Sequence, residues 1–332
     1  MNIQLNRFGL AGTIAAATLG LSAPAVLADA ISIDGSSTVF PITEAMAEEF
    51  ILANPGTEIT VGVSGTGGGF SKFCGGETVI SNASRPIKPI EMATCMEAGI
   101  EYVEIPVAYD AITVVIHPDN TWASEMTISE LATLWEPAAQ GTVNSWSDVN
   151  PAWPNASINL YGPGSDSGTF DYFTDEIVGE EGASRGDYVA SEDDNILVIG
   201  VEGDVNSLGY FGYAYYAENQ DVLQAVAVEG VAPSAETVNN GTYTPLSRPI
   251  FIYVRKDALE RSEVASFVEY YLDNAPTIVP EVGYVELSAE AYALGLGLVS
   301  DGVAGTVYQT NETAGVDIED VIRLERTLEP QE

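Results

Sequence analysis

One pattern occurs three times along the chain and constrains its fold more than any other feature. A predicted strand leads into a loop of Ser, Gly and Thr residues, and that loop leads into a predicted helix. The copies run from Ala30 to Ala53, from Glu58 through Phe70 and from Ser157 to Ile177. This alternation favours an α/β architecture with open, mainly parallel sheets, in which ligands bind at the carboxyl ends of the strands.

The three loops share a chemistry that suits an anion. Their cores are Ser36–Thr38, Ser64–Thr66 and Ser167–Thr169. A loop of this kind that opens a helix presents backbone N–H groups, hydroxyl donors and the positive end of the helix dipole. One such loop alone is better explained by helix capping and turn formation, but three that converge would surround a small tetrahedral oxyanion with neutral donors. The segment Gly65–Gly69 meets neither the P-loop nor the Rossmann fingerprint, which disfavours a nucleotide.

Charge and composition remove several function classes. The chain has 332 residues, of which 46% are hydrophobic and 18% charged, as in a globular protein of about two lobes. Lys and Arg number 11 against 49 Asp and Glu, so the formal charge of −38 repels nucleic acids and anionic membranes. With one histidine and two cysteines, the usual side chains for zinc sites, general bases and thiolate nucleophiles are scarce. We expect no catalytic residues, no metal and no cofactor.

Two strongly apolar runs, Tyr109–His117 and Pro249–Arg255, resemble each other, and each is followed by a charged turn. We expect them to be strands that cross between two lobes. Lobe one would then comprise residues 29–110 and 256–332, lobe two residues 111–255, and the ligand would lie in the cleft between them. No Pro-rich or Ser-rich linker separates the lobes, as expected for a chain that passes between them twice.

The N-terminus predicts export. Residues 1–28 contain a short apolar stretch followed by Val26-Leu-Ala28, which is typical of a cleaved signal peptide with cleavage before Asp29. In an oxidising compartment two cysteines most often pair, so we expect a structural disulfide between Cys74 and Cys95. The predicted location is the periplasm.

Two other features are predicted to be structural. His117 ends an apolar run without a second histidine to support chemistry, so we expect a structural or hinge role. The tyrosines between Tyr210 and Tyr216 recur at helical spacing, which predicts a buried helix face with hydroxyl groups at its rim.

Five motifs in order along the chain resemble the periplasmic phosphate-binding protein of the bacterial phosphate ABC transporter, the PstS family. They are Asp34–Pro41, Ser64–Phe70, Ile80–Pro86, Gly164–Phe170 and Leu208–Tyr215. The similarity covers about residues 31–257, and the set of motifs is specific although each motif alone is not. It implies a type II-like periplasmic binding protein fold with two lobes, two crossing hinge strands and one dehydrated phosphate in the cleft.

The resemblance also implies a set of ligand residues. The first loop would contribute Ser37, Thr38 and the Val39 amide, the second Ser64 with the neighbouring Gly65 and Thr66, and the third Ser167, Gly168 and Thr169. Among the few cations, we expect Arg85 to clamp the anion, and Arg185 is a weaker candidate.

The chain departs from the family pattern at two places. Ser84 followed by Arg85 stands where many members have an aspartate, and Pro163-Gly164 stands where they have an arginine. A carboxylate acceptor separates phosphate, which has a proton to donate, from sulfate, which has none. Asp166 is our candidate for that acceptor, and a cap of its own turn or helix is the alternative.

The sequence therefore predicts a monomeric binding protein that captures inorganic phosphate and delivers it to an ABC permease in the inner membrane. Two alternatives stay open. An exported phosphoesterase on the same scaffold would need an activated nucleophile or a metal-bound water. A binding protein for another oxyanion such as sulfate would need only a different pattern of donors and acceptors.

The disulfide yields a stability prediction. We expect replacement of both Cys74 and Cys95 by Ser to lower the free energy of unfolding by about 3 kcal/mol, because the bond closes a loop of about 20 residues in the unfolded chain. Urea denaturation would measure this loss. Wild-type protein with reductant should show the same loss, and an unchanged midpoint would contradict the prediction.

Overall fold

The computed structural model describes residues 30–165, 167–308 and 317–327. The predicted signal peptide and the candidate acceptor Asp166 lie outside the described residues. Within the described ranges, no helix combines the length and the apolar character that crossing a bilayer would require.

Strands and helices alternate, so the predicted α/β class is confirmed. The strands are β1 Ile31–Gly35, β2 Ile59–Val63, β3 Ile80–Ala83, β4 Tyr102–Ile116, β5 Glu125–Met126, β6 Asn159–Gly162, β7 Val189–Ala190, β8 Ser207–Gly212, β9 Gln224–Ala225, β10 Ala227–Val228 and β11 Ser247–Arg255.

The helices cover the sheet and connect its strands. They are α1 Phe40–Ala53, α2 Gly65–Cys74, α3 Pro89–Glu97, α4 Ile128–Trp135, α5 Trp146–Val149, α6 Gly168–Phe173, α7 Asp194–Glu202, α8 Tyr213–Glu218, α9 Ala235–Asn239, α10 Ser262–Glu281, α11 Ala289–Asp301 and α12 Ile318–Glu325. A π-helical turn, Thr174–Val178, continues α6.

The main sheet has the strand order β2-β1-β3-β11-β4-β8-β6-β7. Its outer strands are parallel: β1 pairs with β2 and β3, and β6 pairs with β7 and β8. Its two central strands, β11 and β4, run antiparallel to each other and to their outer neighbours β3 and β8. The sheet is therefore parallel in each half, and an antiparallel pair joins the halves.

Strand β4 belongs to both halves of the sheet. All of its residues are buried, and it pairs with β11 through Ala111 and with β8 from Ile112 onward. Strand β11 pairs with β4 along Ser247–Arg255 and with β3 along Phe251–Val254, so it lies between β4 and the half of the sheet that contains β1. By strand pairing alone, the chain therefore rejoins the side of the sheet that contains β1 at Ser247.

The first half is packed by α1, α2 and α10. The Phe50 ring of α1 meets the rings of Phe267 and Tyr270 of α10 edge-on, with both centroid distances at 5.3 Å. Helix α2 lies so close to β1 that a Cβ on Gly69 would stand 2.5 Å from the Gly35 Cα. The small residues of the second loop are thus needed for packing as well as for any ligand.

The predicted disulfide joins Cys74, at the end of α2, to Cys95 in α3. Both side chains are buried. The bond therefore ties α2, which precedes β3, to α3, which follows the loop 84–88.

In the second half, aromatic rings hold α6 on the sheet. Phe173 of α6 stacks on Tyr210 of β8 with ring centroids 3.7 Å apart, and Trp135 of α4 meets the same tyrosine edge-on at 4.8 Å. Tyr210 is therefore a strand residue, and the prediction of a buried helix face across Tyr210–Tyr216 is wrong. Helix α8 begins only at Tyr213, and none of its residues is buried.

Two carboxyl groups meet in the core beneath the C-terminal helix. Glu104 of β4 and Glu325 of α12 are 1% and 2% exposed and are hydrogen-bonded to each other. Thr306 donates to Glu104 over 2.9 Å, and Tyr253 donates to the same carboxyl. Burial raises the pKa of both groups, and the charge of Glu104 raises that of Glu325 further. The pair therefore holds a proton that the unfolded chain releases at lower pH.

This pair makes stability depend on pH. Because the folded pKa values are raised, the pair stabilises the fold below the unfolded glutamate pKa of about 4.3, and that contribution is lost as pH rises through the folded values. We expect Glu325→Gln, which keeps a donor toward Glu104 but removes one charge, to lose less unfolding free energy than the wild type as pH rises above the unfolded glutamate pKa of about 4.3.

Urea denaturation at several pH values measures this slope. Asp320→Asn, on the same helix but 79% exposed at its side chain, is the matched control and should retain the wild-type slope. A wild-type slope in Glu325→Gln would contradict the prediction.

Candidate functional site

A cavity of about 720 Å³ opens between the two halves of the sheet, and we refer to it as the cleft. It is lined by Ser36, Ser37, Thr38, Gly65, Thr66, Gly67, Ser84, Arg85, Lys88, Gly168, Asp171, Tyr172, Asp175, Glu176, Glu181, Pro245, Ser247 and Arg248. The cleft thus brings together parts of all three Ser/Gly/Thr loops, as the sequence predicted.

The first loop turns sharply at the end of β1. Gly35 has φ +147°, and a Cβ there would stand 2.1 Å from the Asn82 carbonyl oxygen, so only glycine fits. The Ser36 amide donates to that carbonyl oxygen over 2.9 Å, and the Ser36 hydroxyl accepts from the Thr38 amide over 3.2 Å. Ser37 and Thr38 line the cleft, whereas Val39, the N-cap of α1, has a fully buried side chain.

The second loop is linked to Ser84 rather than isolated. The Thr66 hydroxyl lies 3.0 Å from the Ser84 hydroxyl and accepts from the Ser84 amide over 3.2 Å. Ser64 does not line the described cleft, because its hydroxyl donates to Asp34, which also pairs with Lys72 at 2.6 Å. Thr66 and Ser84 therefore line the cleft, whereas Ser64 is hydrogen-bonded to Asp34.

The third loop meets the first across the cleft. A Cβ on Gly168 would stand 2.9 Å from the Thr38 hydroxyl oxygen, so the two loops are in contact. Ser167 caps α6 by accepting from the Thr169 amide over 3.2 Å. Of this loop, Gly168 lines the cleft, while Ser167 and Thr169 are half-buried beside it.

Arg85 lines the cleft, but its guanidinium already has a carboxylate partner. Nη1 and Nη2 donate to the two carboxylate oxygens of Glu91 over 2.9 and 2.8 Å, and Nη1 also donates to the Pro86 carbonyl over 3.0 Å. The guanidinium carbon lies 5.6 Å from the centre of the Phe70 ring. The salt bridge occupies the bidentate edge with which we expected Arg85 to clamp an anion.

Arg185 is not brought to the cleft. Its buried guanidinium donates to Asp187 over 2.6 and 3.0 Å, and to the carbonyl oxygens of Leu134 and Val143 over 3.1 and 3.0 Å. The hydrogen bonds from Arg185 to Asp187 lower the pKa of that carboxyl group to about 2. Arg185 thus links the segment around Asp187 to the carbonyl oxygens of Leu134 and Val143. This position does not support the expected contact with an anion.

Sequence reasoning missed Arg248, which is the second residue of β11 and lines the cleft. Its guanidinium donates to buried Asp110 over 3.1 and 3.3 Å and lies 3.7 Å from the centre of the Tyr172 ring. Burial raises the pKa of Asp110, although the charge and hydrogen bonds of Arg248 oppose the shift. The one available signal was an arginine directly before a predicted crossing strand.

The sequence also gave no indication that carboxylates line the cleft. Asp171 and Tyr172 belong to α6, Asp175 and Glu176 to the π-helical turn, and Glu181 follows it. Burial, together with neighbouring carboxylates, raises the pKa values of Asp171 and Glu176. The cleft is therefore lined by hydroxyl groups, by the cations Arg85, Lys88 and Arg248, and by four carboxylates, and Arg248 packs against the helix that carries one of these carboxylates.

Comparison with known proteins agrees with this architecture. The family model described as a PBP superfamily domain matches residues 21–275. Protein SphX of Synechocystis sp. is 48% identical over 318 residues, which cover 94% of this chain and 95% of the relative. The phosphate-binding protein PstS of Staphylococcus saprophyticus is 36% identical over 267 residues, which cover 78% of this chain and 81% of the relative.

A solved structure of a possible phosphate-binding protein from Planctomyces limnophilus is similar to this chain, with a TM-score of 0.78 and 44% sequence identity. The match covers 83% of this chain and 99% of that protein. The predicted two-lobed binding protein fold is thereby confirmed. The chain belongs to the PBP superfamily and, within it, to the PstS-like phosphate-binding substrate-binding proteins.

Proposed function

We propose that this protein binds inorganic phosphate in the cleft and delivers it to an ABC permease. One observation carries the proposal: loops from opposite halves of the sheet, around Thr38 and Gly168, meet at a cleft lined with hydroxyl groups. Closure of two lobes around such a cleft would replace the hydration of a small anion with neutral donors. The phosphate-binding relative at 36% identity supports phosphate as that anion.

The hydroxyl groups of Ser37, Thr38, Thr66 and Ser84 are the donors we assign to the ligand, together with backbone amides of the third loop. Ser64 would act indirectly, because its hydroxyl bonds Asp34. Amides at Val39, in the segment Gly65–Thr66 and at Gly168 supply the remaining donors, because the Ser167 and Thr169 amides already donate to the Gly164 carbonyl and the Ser167 hydroxyl. Neutral donors suit a dehydrated phosphate, since they stabilise its charge without requiring a matching number of cations.

We further propose that the protein is exported to the periplasm and acts as a monomer. The predicted signal peptide and the structural disulfide support export. In this arrangement one lobe comprises residues 30–111, 247–308 and 317–327, and the other comprises residues 112–165 and 167–246, following the sheet pairing. The long strand β4 and strand β11 connect them.

A binding role is favoured over a phosphoesterase. The chain's one histidine, His117, lies in the turn after β4, where its Nδ1 accepts from the Asp119 amide over 3.0 Å. It does not line the described cleft. A general base next to a hydroxyl nucleophile would have to come from the acids of α6 and the π-helical turn, and none of the serine hydroxyls described above bonds to them.

A calorimetric titration tests the ligand. We expect mature, ligand-stripped protein at mildly alkaline pH to bind phosphate at one site and to bind sulfate at least about 100-fold more weakly, because the carboxylates that line the cleft repel an anion that cannot donate a proton. Preferential binding of sulfate would reassign the ligand. Turnover of a chromogenic phosphate ester by pure protein would overturn the binding role.

The charge distribution predicts the response of binding kinetics to salt. The formal charge of −38, with four carboxylates lining the cleft, slows the approach of an anion. We expect the association rate in stopped-flow experiments to rise about two- to fivefold between about 20 and 200 mM salt, because screening weakens this repulsion. A rate that falls with salt would show that a local positive field dominates.

A further inference from the structure

Arg248 lies at the junction of three elements that surround the cleft. It stands opposite Asp110 in the register of β11 and β4, and its guanidinium packs on Tyr172 of α6. Tyr172 is itself anchored, since its hydroxyl donates to the Pro245 carbonyl over 2.6 Å. Both central strands and the helix of the third loop therefore position this one side chain.

The guanidinium is held on one edge and one face. Nε and Nη2 donate to Asp110, whose side chain is only 7% exposed, and the Tyr172 ring covers the face at 3.7 Å. Within the described part of the chain, Nη1 has no hydrogen-bond partner. A guanidinium is planar and rigid and carries five N–H donors. With Nε and Nη2 held by Asp110, the Nη1 donors have a fixed direction and are available to a ligand.

Arg85, the cation that the sequence favoured, differs on this point. Both of its terminal nitrogens donate to Glu91, so an anion would have to compete with that carboxylate. Lys88 also lines the cleft, but an ammonium on a long stem has more rotamer freedom to lose on binding. Arg248 is the cleft cation with a fixed orientation and free donors.

We propose that Arg248 is the principal cationic contact of the bound oxyanion, with Asp110 and Tyr172 as its positioning residues. The inference rests on the proposed function and specifies how that site recognises charge. Nη1 donates to the anion in a charge-assisted hydrogen bond. The Asp110 carboxylate holds the Arg248 guanidinium in place and offsets the charge of the guanidinium when the cleft is empty.

Calorimetric titration of phosphate into variants tests the assignment. We expect Arg248→Gln to bind phosphate at least tenfold more weakly than wild type, and more weakly than Arg85→Gln. Arg255→Gln is the matched control, because Arg255 lies on the same strand, is also 21% exposed at its side chain and also pairs with an aspartate, but lies away from the cleft. This control should bind within twofold of wild type.

Arg248→Gln leaves Asp110 buried without its partner, which endangers folding. The double variant Asp110→Asn/Arg248→Gln removes both charges and is compared with Asp110→Asn alone under the same tenfold criterion. Circular dichroism and thermal melting establish that each variant is folded.

A folded Arg248 variant that loses less than tenfold in affinity overturns the assignment, as does a larger loss in Arg85→Gln. Wild-type protein that binds no phosphate overturns the proposed function, and this inference with it. Wild-type protein that binds phosphate, with Arg248→Gln unaffected, overturns the inference alone.

Discussion

The pairing of β4 with β11 is the constraint on which the rest of the structure depends. Strand β4 is buried along its whole length because it has partners in both halves of the sheet. Antiparallel pairing at the centre sets the two parallel halves on either side of one continuous strand. The loops that follow β1, β2 and β6 therefore face a common cleft, although more than 100 residues separate the first loop from the third.

A strongly acidic chain that binds an anion must control its few cations. Arg85, Arg185 and Arg248 each have a carboxylate partner at 3.1 Å or less. These pairs differ in what they leave available, since Arg185 is fully engaged and buried while Arg248 keeps donors at the cleft. Hydroxyl groups dominate the lining around Thr38 and Thr66. A hydroxyl group is neutral, so it can donate to an anion without needing a carboxylate partner when the cleft is empty.

Sequence reasoning was strongest where a local pattern sets the local structure. The three strand–loop–helix units and the disulfide partners lie where they were predicted, because periodicity and the residue types of the loops specify these features over short spans. It was weakest where two elements abut, as at Tyr210–Tyr216. There a buried strand ends and a short helix begins within seven residues, and the tyrosine spacing fits both.

Local sequence also identified the residues that form the first and second loops. Only the tertiary structure decided that Ser64 bonds Asp34 rather than lining the cleft, and that Arg248 reaches the cleft. Arg248 and Asp110 are separated by 138 residues, and their contact depends on the register of two strands. Hydrogen bonds and ion pairs act over a few ångströms in space, so a chain position alone does not reveal which cation remains free to meet a ligand.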